Sequence, residues 1–155
     1  MKKRKEQHGT DKRRILIVDD HTVVRQGLML LINQEPDLVV SAEAENATEA
    51  LKIIEEQKVD LAIVDISLNG TNGIQLTERI KSQHPTLPVL MLTMHDEALY
   101  VKRAFQAGAK GYVTKHEAAD TIITAIHLML SGKDYISETI TQKFLKKLNS
   151  KASHC

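Results

Sequence analysis

The sequence predicts an α/β protein built on a doubly wound, five-stranded parallel sheet with helices on both faces. Three observations carry that prediction. Short apolar runs recur at 15–18, 38–40, 61–64, 89–92 and 111–114, and runs of about four to eight such residues are what buried parallel strands look like. Between the runs, apolar residues return at helical spacing, and strict alternation of strand and helix implies parallel strands joined by crossover helices. Four of the runs also stop at polar residues: Asp19 and Asp20, Asp65, Thr93, and Lys115. Open α/β sheets bind ligands outside the carboxyl ends of their strands, so these groups belong together at one edge.

The elements follow in order. After the first strand, Val23, Val24, Leu28, Leu31 and Ile32 form one face of a helix that must end before Pro36, because a residue preceding proline is driven out of helical geometry. Leu38, Val39 and Val40 begin the second strand. Asn46 with Glu49 three residues later is a capping pattern ahead of Leu51, Ile53 and Ile54. Past the strand at 61–64, Asn72 and Gln75 cap a helix carrying Ile74, Leu76 and Ile80, which Pro85 and Pro88 close. Asp96 and Glu97 open a fourth helix through Ala107, with Gly108 as its stop. A fifth helix covers 118–130 and ends near Gly132. Ser137 caps a further helical stretch, 137–148, with Ile140, Phe144, Leu145 and Leu148 on one side.

At 155 residues, the chain fits one domain plus short tails. The expected organisation is a basic tail over 1–13, a domain over 14–132, and a helical extension or linker over 133–155. A hydrophobic share of 42% and a charged share of 26% are those of an ordinary globular protein. A net charge of +1 gives no general argument for binding nucleic acid or membranes. Lys2, Lys3, Arg4, Lys5, Lys12, Arg13 and Arg14 outnumber Glu6 and Asp11 at the start. Such a run reads as a solvated tail in preference to a nucleic-acid-binding arm. No signal-peptide core follows it, and nothing approaches the ~18 apolar residues of a membrane span. The single cysteine, Cys155, allows no internal disulfide. A cytoplasmic location is the expectation.

The polar residues at the strand ends make chemical sense as a set. Three carboxylates in one cleft repel one another unless a divalent cation sits among them, and oxygen ligands suit Mg²⁺. A lysine beside them is a counter-charge for an incoming phosphoryl group. Each residue alone has a blander reading: the aspartates as helix caps, Thr93 as a turn hydroxyl, Lys115 as surface charge, Tyr112 as packing. Their convergence is what gives them weight. His21 and His95 flank the site and read as exposed loop histidines, since hard cations prefer oxygen.

The segments ILIVDDH, VDLAIVDISLNGTNG, VLMLTMHDE and AFQAGAKGYVTK resemble, in order and spacing, the receiver domain of bacterial two-component response regulators, and the last two look most like receivers of the NarL/FixJ (LuxR-type) family. The resemblance implies the flavodoxin-like receiver fold and a role for each matching residue. Asp65 matches the phosphoacceptor. Asp20 matches a direct metal ligand and Asp19 the acid holding metal-bound water, with Asp65 itself and the backbone carbonyl of Ser67 completing the protein ligands to Mg²⁺ or Mn²⁺. Thr93 and Lys115 match the groups that contact phosphoryl oxygens, and Tyr112 matches the aromatic whose rotamer follows activation. Where the family usually has Met-Pro, this chain has Leu68-Asn69, so proline does not stiffen the loop beside Asp65 and the lifetime of an acyl phosphate comes into question.

The implied function is a receiver that takes a phosphoryl group from a sensor histidine kinase or phosphotransfer protein and switches conformation. Its expected output is transcription, through a DNA-binding domain beyond this chain, with homodimerisation on phosphorylation and no membrane partner. The alternative is a stand-alone receiver working through protein contacts or as a phosphorelay intermediate. It is not expected to be an enzyme on a separate substrate, since it catalyses its own phosphotransfer and dephosphorylation. A calcium loop starting at Asp65 fails because Leu76 stands where a bidentate Glu is needed. A haloacid-dehalogenase-like phosphatase fails because Ser67 replaces the required second Asp, and no phosphate-binding glycine loop occurs.

Overall fold

The computed structural model describes residues 11–68, 72–94, 98–115, 119–136 and 140–142, without the side chains of residues 98 and 99. Strands β1 (Arg13–Val18), β2 (Leu38–Ala44), β3 (Leu61–Asp65), β4 (Val89–Thr93), β5 (Gly111–Thr114) and β6 (Tyr135–Ile136) alternate with helices α1 (Thr22–Asn33), α2 (Ala47–Glu56), α3 (Gly73–Gln83), α4 (Ala98–Gln106) and α5 (Ala119–Leu130). The sheet order is β2-β1-β3-β4-β5-β6, with every neighbouring pair parallel.

The sheet is therefore doubly wound as expected, with one strand more than the five expected. β6 is two residues long and pairs Tyr112 with Ile136, anchored by the Tyr135 amide donating to the Lys110 carbonyl at 2.9 Å. Two residues leave no period to read, and only the proximity of the β5 edge makes them a strand. β2 also departs from a clean ladder. Its register skips Ser41 between Val40 and Ala42 opposite Ile15 and Leu16, the one-residue insertion of a bulge on an edge strand.

Alternation along the strands sorts the core into two layers. Leu16, Val18, Ala62, Val64, Met91 and Tyr112 point to the face covered by α2, α3 and α4 through residues such as Ala50, Leu76, Ile80 and Ala104. Ile15, Ile17, Leu61, Ile63, Leu90, Leu92 and Val113 point to the face covered by α1 and α5 through Leu28, Ile32, Ile122, Ala125 and Met129. β1, β3 and β4 can be apolar almost throughout because both their faces are covered.

The helix starts follow their caps. The Asn46 side chain accepts from the Glu49 amide at 2.9 Å, and the Glu49 carboxylate reaches back to the Glu45 amide at 2.9 Å. Asn72 Oδ1 accepts from the Ile74 amide. Gly108, at φ +111, ends the α4 segment in a left-handed conformation that other residues adopt at a cost. Asn69, Gly70, His95, Asp96 and Glu97, residues 1–10, and the stretch 137–148 apart from the helical 140–142 lie outside the described residues. Among those described, no helix is long and apolar enough to cross a membrane.

Candidate functional site

The strand order reverses between β1 and β3, and such a switch point opens a crevice at the carboxyl ends of the strands. Because Val18 is the register partner of Val64, the residues that follow them, Asp19 and Asp65, stand side by side. Both are 1% exposed. Asp20 is half-buried beside them. Lys115 follows β5 and is held by its amide donating to the Thr93 carbonyl at 2.7 Å. Its ammonium lies 3.2 Å from Asp65 Oδ2 and 3.1 Å from Asp19 Oδ2. The structure thus brings together Asp19, Asp20, Asp65 and Lys115, and puts Thr93, fully buried, at the end of the neighbouring strand.

The charge is not balanced. Burial, and then the Asp19 carboxylate, push the Asp65 carboxyl above the usual carboxylate range, opposed by the Ser67 amide bond and by Lys115. The Ser67 amide donates to Asp65 Oδ1 at 3.1 Å. One ammonium serves two buried carboxylates, with a third alongside.

The donor set fits a hard divalent cation. Ligand atoms of Asp19, Asp20, His21 and Asp65 all lie within 4.8 Å of one another. Asp19 Oδ2 and Asp20 Oδ1 are buried and accept no hydrogen bond from the described residues, although each lies at ion-pair distance from a neighbouring nitrogen. Buried lone pairs without a donor are costly unless a cation takes them up.

His21 is the exposed loop histidine the sequence suggests, with a contact added to that reading. Its ring is 59% exposed, as expected of a loop histidine, yet Nδ1 lies 2.9 Å from Asp19 Oδ1, 3.1 Å from Asp20 Oδ1 and 3.6 Å from Asp65 Oδ2. The three carboxylates converge on a single nitrogen, as they would on a cation. Sequence reasoning placed His21 near the site but could not give this orientation, which depends on the turn after β1.

Two supporting residues were not foreseen. Arg25 is buried, donating from Nη1 to the Asp19 carbonyl at 2.6 Å and from Nε to Glu43 Oε1 at 3.1 Å. It fixes the backbone of the acidic pair and ties α1 to β2. The available signal was its spacing: Arg25, Leu28 and Ile32 lie three and four residues apart on the buried face of α1, where a charge needs a reason. Gly73 is the other. A Cβ there would collide with the Asp65 carbonyl oxygen and sit 2.8 Å from the Ile66 Cα. Only glycine lets the start of α3 press against the Asp65 turn, where the Gly73 amide donates to the Ile66 carbonyl at 2.9 Å. Tyr112 is fully buried in the α2–α4 layer. Leu68 is buried there too.

Comparison with known proteins gives one answer throughout. The family model described as "Response regulator receiver domain" matches residues 15–127. The chain is 32% identical over 142 residues to the transcriptional regulatory protein DegU of Brevibacillus brevis, covering 92% of this chain and 60% of that protein. It is 34% identical over 134 residues to the response regulator GacA of Pseudomonas viridiflava, covering 86% of this chain and 63% of that protein. The chain thus spans less than two thirds of the length of these relatives. Among solved structures, a LuxR-family two-component response regulator from Aurantimonas sp. superposes with a TM-score of 0.85 at 36% identity, covering 88% of this chain and 97% of that one. The receiver domain of a NarL response regulator from Mycobacterium tuberculosis gives 0.76 at 28% identity, covering 79% and 99%. With the family model matching residues 15–127 and the LuxR-family structure superposing at 36% identity, the chain belongs to the response regulator receiver domains, of the NarL/FixJ type.

Proposed function

We propose that Asp65 accepts a phosphoryl group from the phosphohistidine of a sensor histidine kinase or phosphotransfer protein. The observation that carries this reading is a carboxylate 1% exposed at a strand end, facing an ammonium at 3.2 Å. An Asp65 oxygen bonds to phosphorus as the phosphorus–nitrogen bond of the donor breaks. The freed imidazole leaves with its electron pair, and the product is an acyl phosphate. Transfer of this kind asks for positioning and charge neutralisation more than for a strong nucleophile. Lys115 pairs with the phosphoryl oxygens, the Thr93 hydroxyl donates to one of them, and Arg25 holds the Asp19 backbone in place. Magnesium or manganese, held by Asp19, Asp20, Asp65 and the Ser67 carbonyl, supplies the remaining neutralisation when bound. The protein acts on itself and is no enzyme for a separate substrate.

The acyl phosphate biases a two-state switch read through Thr93 and Tyr112. The output is transcription, through a DNA-binding domain not contained in these residues. The transcriptional role named for the DegU relative and the partial coverage of its length support that reading. A phosphorylation-dependent homodimer and a cytoplasmic setting complete it.

Incubation with acetyl phosphate and Mg²⁺, followed by intact-protein mass, tests the assignment. One phosphoryl group is expected on the wild type and none on Asp65→Asn, and uptake fails when Mg²⁺ is omitted. Equal uptake in Asp65→Asn overturns it. Mg²⁺ is also expected to stabilise the fold by mass action, by about 2.7 kcal/mol at a hundred times its dissociation constant. Asp20→Ala removes that response.

A further inference from the structure

We infer that the amino end of the sheet holds a second ligand site, a cavity for a small molecule that carries a chain of phosphates. The cavity has a volume of about 590 Å³, within the roughly 300–1,000 Å³ of small-molecule sites. It lies among the turns that lead into the strands. Arg13 starts β1, Lys58 and Asp60 precede β3, Lys110 precedes β5, and Lys133 and Asp134 precede β6. With Lys81 of α3, five cationic side chains line the cavity against two carboxylates. That excess is larger than the net +1 of the whole chain, so positive charge is concentrated at this end. A neighbouring cavity of about 610 Å³ shares Arg13, Lys58 and Asp60 and adds Lys12 and Arg14 against Asp11.

Lysines on a flat surface are usually no more than solvated charge. Here they ring a cavity whose walls are fixed. Pro85 and Pro88 lock their own φ, and the Lys81 ammonium fastens that turn by donating to the carbonyls of Pro85 and Leu87 at 2.9 Å each. The Lys110 amide donates to the Val89 carbonyl at 3.0 Å, and the Asp60 amide to the Arg14 carbonyl at 2.8 Å. A site held this way loses little freedom on binding. Among the described residues the ammonium groups of Lys58, Lys110 and Lys133 make no ion pair and no hydrogen bond. Arg13 Nη2 reaches only the Leu130 carbonyl, at 3.5 Å. Asp60 is already engaged by the Arg14 amide at 2.7 Å, and His84 turns its Nε2 toward Glu55 Oε1 at 3.5 Å. Burial, and then Lys110, hold the Lys81 ammonium below the usual lysine range, as expected where cations crowd one another.

The class of ligand follows from the charge. A single carboxylate would leave most of the excess unmet, whereas two or three linked phosphates bring several negative charges into one small space. Lysine meets a phosphate as a point charge, and arginine meets it with a planar fork. Ile54, Leu87 and Met129 add an apolar part to the lining, on which the rest of such a molecule would lie. Nucleic acid asks instead for an extended basic face. The cavity stands at the opposite end of the strands from Asp65, so it does not depend on the phosphoacceptor reading.

ATP titrated into the full chain in Mg²⁺-free buffer, followed by amide NMR shifts, tests this. A dissociation constant below about 1 mM is expected, with shifts at residues 58–60, 86–87, 110 and 132–134. Lys58→Gln combined with Lys110→Gln, both at exposed positions, should weaken binding about tenfold. Lys52→Gln, an exposed lysine outside the cavity, should leave it within about twofold. Asp65→Asn should bind as the wild type does, whatever becomes of the phosphoacceptor reading. Inorganic tripolyphosphate should displace ATP and adenosine should not. Tighter binding of ATP than of tripolyphosphate assigns the site to a nucleotide, and equal binding assigns it to the phosphate chain itself. The inference is overturned by an absence of shifts up to about 10 mM ATP, by a double variant within about twofold of wild type, or by an equal loss in Lys52→Gln. It is also overturned by a short DNA duplex that shifts the same residues at lower concentration than ATP.

Discussion

At the carboxyl end of the sheet Asp19, Asp20 and Asp65 crowd around one ammonium and one imidazole, with two buried oxygens accepting no hydrogen bond from the described residues. At the amino end the same strands start from groups that pair with one another. Asp60 accepts from the Arg14 amide at 2.7 Å, and Lys81 donates to the carbonyls of Pro85 and Leu87 at 2.9 Å each. One backbone thus carries two kinds of end. The amino end uses its polar atoms to close turns, and the carboxyl end crowds three carboxylates around one ammonium and one imidazole. An uncompensated buried carboxylate costs stability, so the carboxyl end is where the fold should be improvable by mutation at the expense of function.

The largest effect should come from breaking the close approach that shapes the site. Gly73→Ala is expected to destabilise by about 3 kcal/mol, because the new methyl must displace the Asp65 turn or the start of α3. Chemical denaturation measures it, and a loss below about 1 kcal/mol would mean the turn gives way easily. Phosphorylation should slow in the same variant, since the Asp65 backbone moves.

Asp65→Asn should act in the opposite direction. The Asp65 carboxyl sits above the usual range, so the folded state holds its proton more tightly than the unfolded chain, whose value is 3.8. An acid raised in this way is harmless while protonated and increasingly costly as pH climbs from the unfolded value through the folded one. In Mg²⁺-free buffer Asp65→Asn should therefore melt about 2–5 °C higher than wild type at pH 7. The gap should close toward pH 4. A gap that widens on acidification would contradict the sign.

The smallest effect sharpens the comparison at the other end. Lys81 is pushed below the usual lysine range by burial and by Lys110, so its ammonium adds little beyond its two bonds to carbonyls. Lys81→Met should change stability by no more than about 1 kcal/mol and leave the phosphorylation rate at its wild-type value. A large loss of phosphorylation in Lys81→Met would show that the two ends are coupled through α3.

What could be read beforehand divides along similar lines. β1, β3, β4 and β5 were legible because a strand covered on both faces must be apolar throughout, and Asp65 and Lys115 were legible as the points where the apolar runs stop. β2 was legible from Leu38, Val39 and Val40 onward, but the places of Ser41 and Glu43 in it follow only from the bulge and the Arg25 contact. β6 could not be foreseen, since Tyr135 and Ile136 become a strand only because β5 offers an open edge. The importance of Gly73 lay in a distance between backbones that no periodicity records. The orientation of His21 into the acidic cluster likewise depends on a turn, and Arg25 was visible only as a charge spaced among buried leucine and isoleucine.

The central claim is that the charge crowding at the carboxyl end exists to place a phosphoryl group on one carboxylate. Borohydride reduction tests it most directly, because it converts an aspartyl phosphate to homoserine and marks the residue that carried it. After phosphoramidate and Mg²⁺, followed by reduction and peptide mapping, homoserine is expected at position 65 and at no other aspartate. Homoserine at Asp19 or Asp20, or a phosphorylated chain that yields none, would contradict the account.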